Sequence, residues 1–387
     1  MYIHHTPTKV FIDYDIKNIG ELIKSYGFKK VLFVYGGGSI KKIGLYDGIV
    51  DSLKSHNISY IEASGVEPNP KVSFVREVLA KNYEFDMILA VGGGSVIDTA
   101  KSISLSHKTG IDPWKFSKQE VEPTSSVPVG VVLTLAAAGS EMSNSCVITN
   151  EETNEKEGFG SEFNRPLFAI MNPEYTYSVS KYQTACGVVD IMMHTLERYI
   201  SDEKSMLADE FAIAVLKTVV KNGWVAYNNP TDYEARKQVM LASSFSHNDL
   251  TNIGRNWCPR AHLIEHIISG FYDNVTHGAG LAVVWPAYCK YIYKDSKVAP
   301  LLARLAYELF DVEKLNDLVS DAYKGIELME EFFKSMNMPT RLEELGISKA
   351  DVEKFSLALT KDKTLTITDV VDIDYEAAKE IFMLMFE

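Results

Sequence analysis

A change of rhythm near residue 180 constrains the fold of this 387-residue chain more than any other feature. Before it, short apolar runs alternate with stretches whose apolar residues recur at helical spacing. KVFID (9–13), KVLFVYG (30–36), SYIEAS (59–64) and MILAV (87–91) read as strands, and 16–27, 43–56, 72–82 and 95–107 as helices. Strands that alternate with helices predict βαβ units and a parallel, doubly wound sheet. From 128 to about 172 the pattern changes: VPVGVVLT (127–134), SCVITN (145–150) and PLFAIMN (166–172) look β-like, with loops between them. Beyond residue 180 strand signals nearly vanish, and helical patterns take over at 203–222, 233–248, 260–271, 298–309, 313–335 and 374–386. The expected organisation is an α/β domain over 1–180 and an all-α domain over 181–387. A single core stops growing beyond roughly 250–300 residues, so length also favours two domains.

Composition narrows the class. A hydrophobic fraction of 46% and a charged fraction of 24% suit an ordinary soluble globular protein. The net charge of −13 argues against a nucleic-acid surface. Four cysteines (Cys146, Cys186, Cys258, Cys289) form no CxxC pair and read as reduced thiols. The opening MYIHHTPTKVFIDYD lacks an apolar core, so no secretory signal is expected. The longest uncharged apolar run, VPVGVVLTLAAAG (127–139), is too short to span a bilayer. These features predict a cytoplasmic protein with no membrane partner.

The helical half carries the main chemical signal. Asp190 and His194 are four apart within GVVDIMMHTLERYI (187–200), and His262 and His266 are four apart within RAHLIEHIISGFY (260–272). Residues at that spacing share one helix face. His277 follows in THGAG (276–280), whose glycines suit a loop or a helix start. Imidazoles joined by a carboxylate suit a divalent first-row cation such as Fe2+ or Zn2+. The competing account is a set of separate core or surface histidines. Trp257, Phe271, Tyr272 and Trp285 flank these positions and suit a small, rather apolar substrate, whereas Arg255 and Arg260 leave an anionic one open.

Glycine runs mark the first half. GGGSVIDTAK (92–101) follows an expected strand and opens an expected helix, a position where backbone N–H groups and the helix dipole favour a pyrophosphate. It lacks the G-x-G-x-x-G spacing, so it is not a standard Rossmann fingerprint, and a tight turn with no ligand is the alternative. YGGGSIKK (35–42) ends the strand at 30–36, where dinucleotide folds place a carboxylate on the ribose. Gly37, Gly38 and Ser39 supply no acid, and Lys41 and Lys42 lie close by, which favours NADP(H) over NAD(H). TLAAAGSE (134–141), with Thr134 and Ser140, reads either as a cofactor wall or as a close-packed turn.

Taken in order, HTPTKV (5–10), YGGGSIKKIGLYD (35–47), GVEPNP (65–70), GGGSVIDTAK (92–101), GSE (139–141), PEYTY (173–177), GVVDIMMHTLE (187–197), HLIEH (262–266) and THGAGLAVVWP (276–286) resemble the iron-containing, group III alcohol dehydrogenases, in particular the butanol dehydrogenase and aldehyde reductase branch. That resemblance implies a fold similar to dehydroquinate synthase. It implies a hydride transfer between NADP(H) and a primary alcohol or aldehyde such as butanol or butyraldehyde. The matching metal ligands are Asp190, His194, His262 and His277, with His266 as a proton relay. Gly93, Gly94 and Ser95 match the pyrophosphate turn, and Asp98 the residue facing nicotinamide and substrate. Thr134, Ser140 and Lys156 match further cofactor contacts. The chain departs from the family in having Ala138 where Thr is common, and in a His266–His277 spacing one residue longer than in many members. A dehydroquinate synthase-like lyase and a glycerol dehydrogenase-like enzyme are the alternatives on this fold, and a homodimer is the expected assembly.

Overall fold

The computed structural model describes residues 4–314, 317–368 and 370–387. The chain divides into two compact units. One comprises His5–Val179 and Pro230–Ser244, the other Ser180–Asn229 and Phe245–Glu387.

The first unit is built on eight strands: β1 (Lys9–Ile12), β2 (Lys30–Tyr35), β3 (Ser59–Ser64), β4 (Met87–Gly92), β5 (Val129–Leu133), β6 (Ser145–Asn150), β7 (Glu155–Gly160) and β8 (Phe168–Met171). Six form one sheet in the order β1-β8-β5-β4-β2-β3, and every pairing in it is parallel. β4 and β5 are buried along their whole length and β2 beyond its first residue, as continuous apolar runs require in a sheet covered on both faces. β1 and β3 have exposed and half-buried residues and stand at the edges.

Alternation along the strands feeds two cores. Leu32, Val34, Ile88, Ala90, Val131 and Leu133 point to the face holding Val72, Val75, Ile97 and Ala100. Val31, Phe33, Tyr35, Leu89 and Val91 point to the other, against Ile19, Ile23, Ile49 and Leu53. The period of two thus sorts each strand between helices on either side.

SCVITN forms a strand as expected, β6, which lies outside the main sheet and pairs antiparallel with β7. β7 itself (EKEGFG) gave no strand signal, because two glycines and three charges depress β-propensity. The helix expected at 233–248 runs Tyr233–Ser246, and Pro230–Ser244 groups with the α/β unit although it lies beyond residue 180. There Ser243 accepts from the Gly139 amide at 3.1 Å, and Ser244 donates to Glu141 at 2.5 Å.

The second unit is helical. Its central helix, Lys181–Tyr199, is buried from Thr184 to Tyr199 and starts at an N-cap, Ser180, that accepts from the Gln183 amide. The helices Met206–Asn228, Arg260–Phe271, His277–Ile292, Ala299–Phe310, Leu318–Ser335, Val352–Leu359 and Tyr375–Leu384 complete it. Residues 315–316 of the helix expected at 313–335 lie outside the described residues. Among the described residues, no helix is long and apolar enough to cross a membrane.

Candidate metal centre

Three helices of the second unit deliver the ligand candidates. Asp190 and His194 sit one turn apart on Lys181–Tyr199, and His262 and His266 one turn apart on Arg260–Phe271. His277 is the first residue of His277–Ile292. The glycines of THGAG therefore belong to a helix start, and their use is close approach. A Cβ on Gly278 would meet the Cys186 carbonyl oxygen at 2.2 Å, and one on Gly280 would meet Cγ of Glu265 at 2.7 Å. Without side chains there, His277 is carried up against the other two helices.

Asp190 Oδ1 lies 3.4 Å from His194 Nδ1, 3.5 Å from His262 Nε2 and 3.8 Å from His277 Nε2. Ligands about 2.0–2.2 Å from a tetrahedral cation are about 3.3–3.6 Å from one another, so the distances to His194 and His262 fit a shared cation; Asp190, His194 and His262 lie within 4.8 Å of one another, whereas His277 groups with Glu265 and His266. Asp190 Oδ1, His194 Nδ1 and His262 Nε2 are buried and have no hydrogen-bond partner. Burying three polar atoms face to face without a bond is costly, and a shared cation removes that cost.

Charge placement agrees. Burial drives His194 well below its ordinary pKa, with repulsion from His247, His262, Arg198 and His277 in the same direction. That favours the neutral ring, the form in which an imidazole can ligate. Burial also opposes a charge on His262, but Glu197 and Asp190 outweigh it and push that pKa up to about 10. A proton and a cation thus compete for one nitrogen.

Two glutamates that the sequence reading passed over bond the ligand candidates. Glu197, fully buried, accepts from the His262 amide at 3.0 Å and from its Nδ1 at 2.5 Å. Glu265, also fully buried, bonds Nδ1 of His277. Each bond leaves Nε2 as the lone-pair nitrogen facing Asp190, the usual carboxylate–histidine–metal arrangement. The available signal was spacing, since Glu197 follows His194 by three and Glu265 follows His262 by three, on one helix face. His266 is half-buried, its ring centroid 5.5 Å from that of His277 and 6.3 Å from that of His262.

The neighbouring cations and aromatics have other duties. Arg255 pairs with Asp209 at 2.6 Å, and Arg260 donates to the Ile200 carbonyl at 2.8 Å, so neither is aimed at an anionic substrate. Trp285 is core, Phe271 lies against Phe355, and Tyr272 donates to Asp351. Of the four aromatics, Trp257 is the one in ring contact with the cluster, through His247.

In the α/β unit, β4 runs through Gly93 directly into the helix Gly94–Thr109, whose start no side chain caps. A Cβ on Gly93 would come 3.0 Å from Leu135 and one on Gly94 3.0 Å from Ala138, so the 134–138 stretch lies along the turn. Gly93, Gly94, Ser95 and Thr134 are partly exposed there. Asp98 is more enclosed than a surface contact. It accepts from Ser140 Oγ at 2.5 Å and from the Val147 amide at 2.9 Å, 3.7 Å from Lys101, and burial raises its pKa against the pull of that lysine. Ser140 in turn accepts from Lys101 at 2.8 Å, and the buried Lys156 donates to Asn69 at 3.2 Å. After β2, Gly37 and Ser39 are exposed and Gly38 has φ +138°. Lys41 lies over the rings of Tyr46 and Tyr35, at 4.6 and 5.4 Å, and Glu62 accepts from both tyrosines. That carboxylate offsets the charge of Lys41.

Comparison with known proteins now bears on the geometry. Residues 7–173 match the family model of iron-containing alcohol dehydrogenase, and residues 184–383 match that family's C-terminal model. NADH-dependent butanol dehydrogenase A of Clostridium acetobutylicum is 40% identical over 97% of this chain and 97% of that protein. NADPH-dependent aldehyde reductase YqhD of Escherichia coli is 32% identical over 98% of this chain and 97% of that protein. The crystal structure of NADH-dependent butanol dehydrogenase A from Thermotoga maritima matches with a TM-score of 0.94 at 35% identity, covering 100% of this chain and 99% of that one.

Proposed function

Because the chain belongs to the iron-containing alcohol dehydrogenase family, and is therefore an oxidoreductase of alcohols and aldehydes, we propose that its substrate is a primary alcohol or aldehyde of the butanol/butyraldehyde class and that Asp190, His194, His262 and His277 hold a divalent cation, Fe2+ or Zn2+. The observation that carries this reading is the convergence of three buried, unbonded polar atoms: Asp190 Oδ1, His194 Nδ1 and His262 Nε2. When bound, the cation supplies Lewis acidity toward the substrate oxygen, and the nicotinamide supplies or accepts the hydride.

The residues of the chain do the rest. Asp190 brings the one formal negative charge among the four ligands, and Glu197 and Glu265 fix the tautomers of His262 and His277. His266, half-buried beside His277, exchanges a proton between the substrate oxygen and solvent at a ring nitrogen. Backbone N–H groups at Gly93, Gly94 and Ser95 receive the pyrophosphate at the helix start. Asp98, one turn along that helix and 13% exposed, presents its open edge to the cofactor, while Ser140 and Lys156 hold the surrounding loops.

NADP(H) is the cofactor favoured by a loop without an acid at residues 37–39, with Lys42 exposed nearby. Glu62 tempers that preference by occupying Lys41, and the named relatives include both NADH- and NADPH-dependent enzymes. Four cysteines that form no disulfide suit a reducing, cytoplasmic setting.

The test is elemental analysis of the purified chain joined to butyraldehyde-dependent oxidation of NADPH and NADH. Removing the metal with a chelator should abolish turnover, and adding Fe2+ or Zn2+ should restore it. Full activity in protein shown to be metal-free would refute the proposal.

A further inference from the structure

His247 has no part in the function proposed above, yet its ring lies against a ligand. Its centroid is 4.1 Å from that of His194, with 30° between the planes. That is closer than His194 comes to His262, at 4.5 Å. His247 is 9% exposed. On its far side the Trp257 ring meets it edge to face at 6.4 Å and 88°. The guanidinium of Arg198 lies 3.7 Å over the Trp257 ring, and Nη1 of Arg198 donates to the His194 carbonyl at 2.6 Å. The four groups close a circuit. His194 holds Arg198 through the backbone, Arg198 covers Trp257, Trp257 edges onto His247, and His247 covers His194.

The other ligand histidines are held differently. His262 is fixed through Nδ1 by Glu197, and His277 by Glu265. Among the described residues, no glutamate bonds the His194 ring, whose Nδ1 faces Asp190 with no hydrogen-bond partner. An imidazole without such a bond can turn about its side-chain torsions, and a ring packed on its face prevents that.

We propose that His247 is a positioning residue of the metal centre, fixing the plane of His194 by ring stacking where the other two imidazoles are fixed by carboxylates. This rests on the metal assignment made above. The role assigned to His247 lies in its stacked face, and a phenyl ring offers the same face.

The test is a titration of Co2+ into metal-free protein against a competing chelator, following the visible ligand-field bands. His247→Ala should bind roughly tenfold more weakly, in the range usual for lost support around a ligand, with altered bands. His247→Phe should restore both affinity and bands. An alanine variant with wild-type affinity and spectrum overturns the inference, as does a folded phenylalanine variant no better than the alanine one. Should His247→Ala fail to fold, His247→Phe with altered bands overturns it and His247→Phe with wild-type bands supports it. A wild-type chain that takes up no Co2+ overturns the metal assignment, and this inference with it, whereas a wild-type chain that binds beside an unaffected alanine variant overturns this inference alone.

Discussion

Glu197→Gln tests the centre through a residue that never touches the cation. Glu197 offers two oxygens to two donors, the amide of His262 at 3.0 Å and its Nδ1 at 2.5 Å. Glutamine keeps the volume but supplies one oxygen. If that oxygen faces the amide, the new NH2 faces Nδ1, which must give up its proton and accept. The imidazole then carries its hydrogen on Nε2, the atom 3.5 Å from Asp190, and cannot ligate. If the side chain turns the other way, a buried backbone N–H loses its acceptor, at a cost of about 1–3 kcal/mol. Lost support of this kind weakens metal binding about 10- to 100-fold, or about 1.4–2.7 kcal/mol. Protons moderate the effect. Burial opposes a charge on His262, but Glu197 and Asp190 hold its pKa near 10, so at neutral pH the substitution weakens the competing proton as well as the cation. The deficit should therefore grow as pH rises toward 10. The assay is Zn2+ titration of metal-free protein against a chromophoric chelator at two pH values, with far-UV circular dichroism to show a native fold. A folded Glu197→Gln variant within threefold of wild-type affinity at both would refute the support role.

Acid stability, cofactor choice and helix approach give further expectations. Glu330 accepts from Lys290 at 3.0 Å, Lys334 at 2.7 Å and Arg341 at 2.9 Å; burial opposes its charge, but the three cations prevail and hold its pKa at about 2. A depressed carboxylate contributes stability above its unfolded value of about 4.3 and loses it as pH falls toward 2. After allowance for solvent screening the contribution is about 1–2 kcal/mol, so Glu330→Gln should flatten the melting-temperature profile between about pH 5 and pH 2, and superimposable acid limbs would contradict it. Gly37→Asp places a carboxylate at an open position without the strained φ of Gly38; kcat/KM for NADPH relative to NADH should fall at least about tenfold, and an unchanged ratio would show that this loop does not meet the 2′-phosphate. Gly278→Ala drives a Cβ onto the Cys186 backbone, so it should lower stability by about 1–3 kcal/mol and reduce metal content, and a variant matching wild type in both would refute the close-approach argument.

What the sequence could reveal was set by periodicity and by element choice. β2, β4 and β5 were legible because uninterrupted Val, Leu and Ile runs have few homes other than a sheet covered on both faces. The pairs Asp190/His194 and His262/His266 were legible because one helical turn fixes which side chains share a face. β7 was not legible, since the hairpin turn that makes it lies in a polar stretch around Asn154, at φ +54°. Where a helix packs is also absent from its own pattern. Tyr233–Ser246 reads as a helix, but its place in the α/β unit depends on Ser243 and Ser244 meeting Gly139 and Glu141, a hundred residues away.

The supporting glutamates show the same limit more sharply. Each lies one turn after a proposed ligand on its own helix, where a carboxylate ordinarily faces solvent. Yet Glu197 bonds the proposed ligand His262 on Arg260–Phe271, and Glu265 bonds the proposed ligand His277 on His277–Ile292. The bracing therefore runs across helices, not along them. Glycines at 278 and 280 serve that bracing, since a Cβ on Gly278 would meet the Cys186 backbone and one on Gly280 would meet Glu265. Among the described residues no glutamate bonds the ring of His194, on the first helix of the series, and the face of His247 lies against it instead.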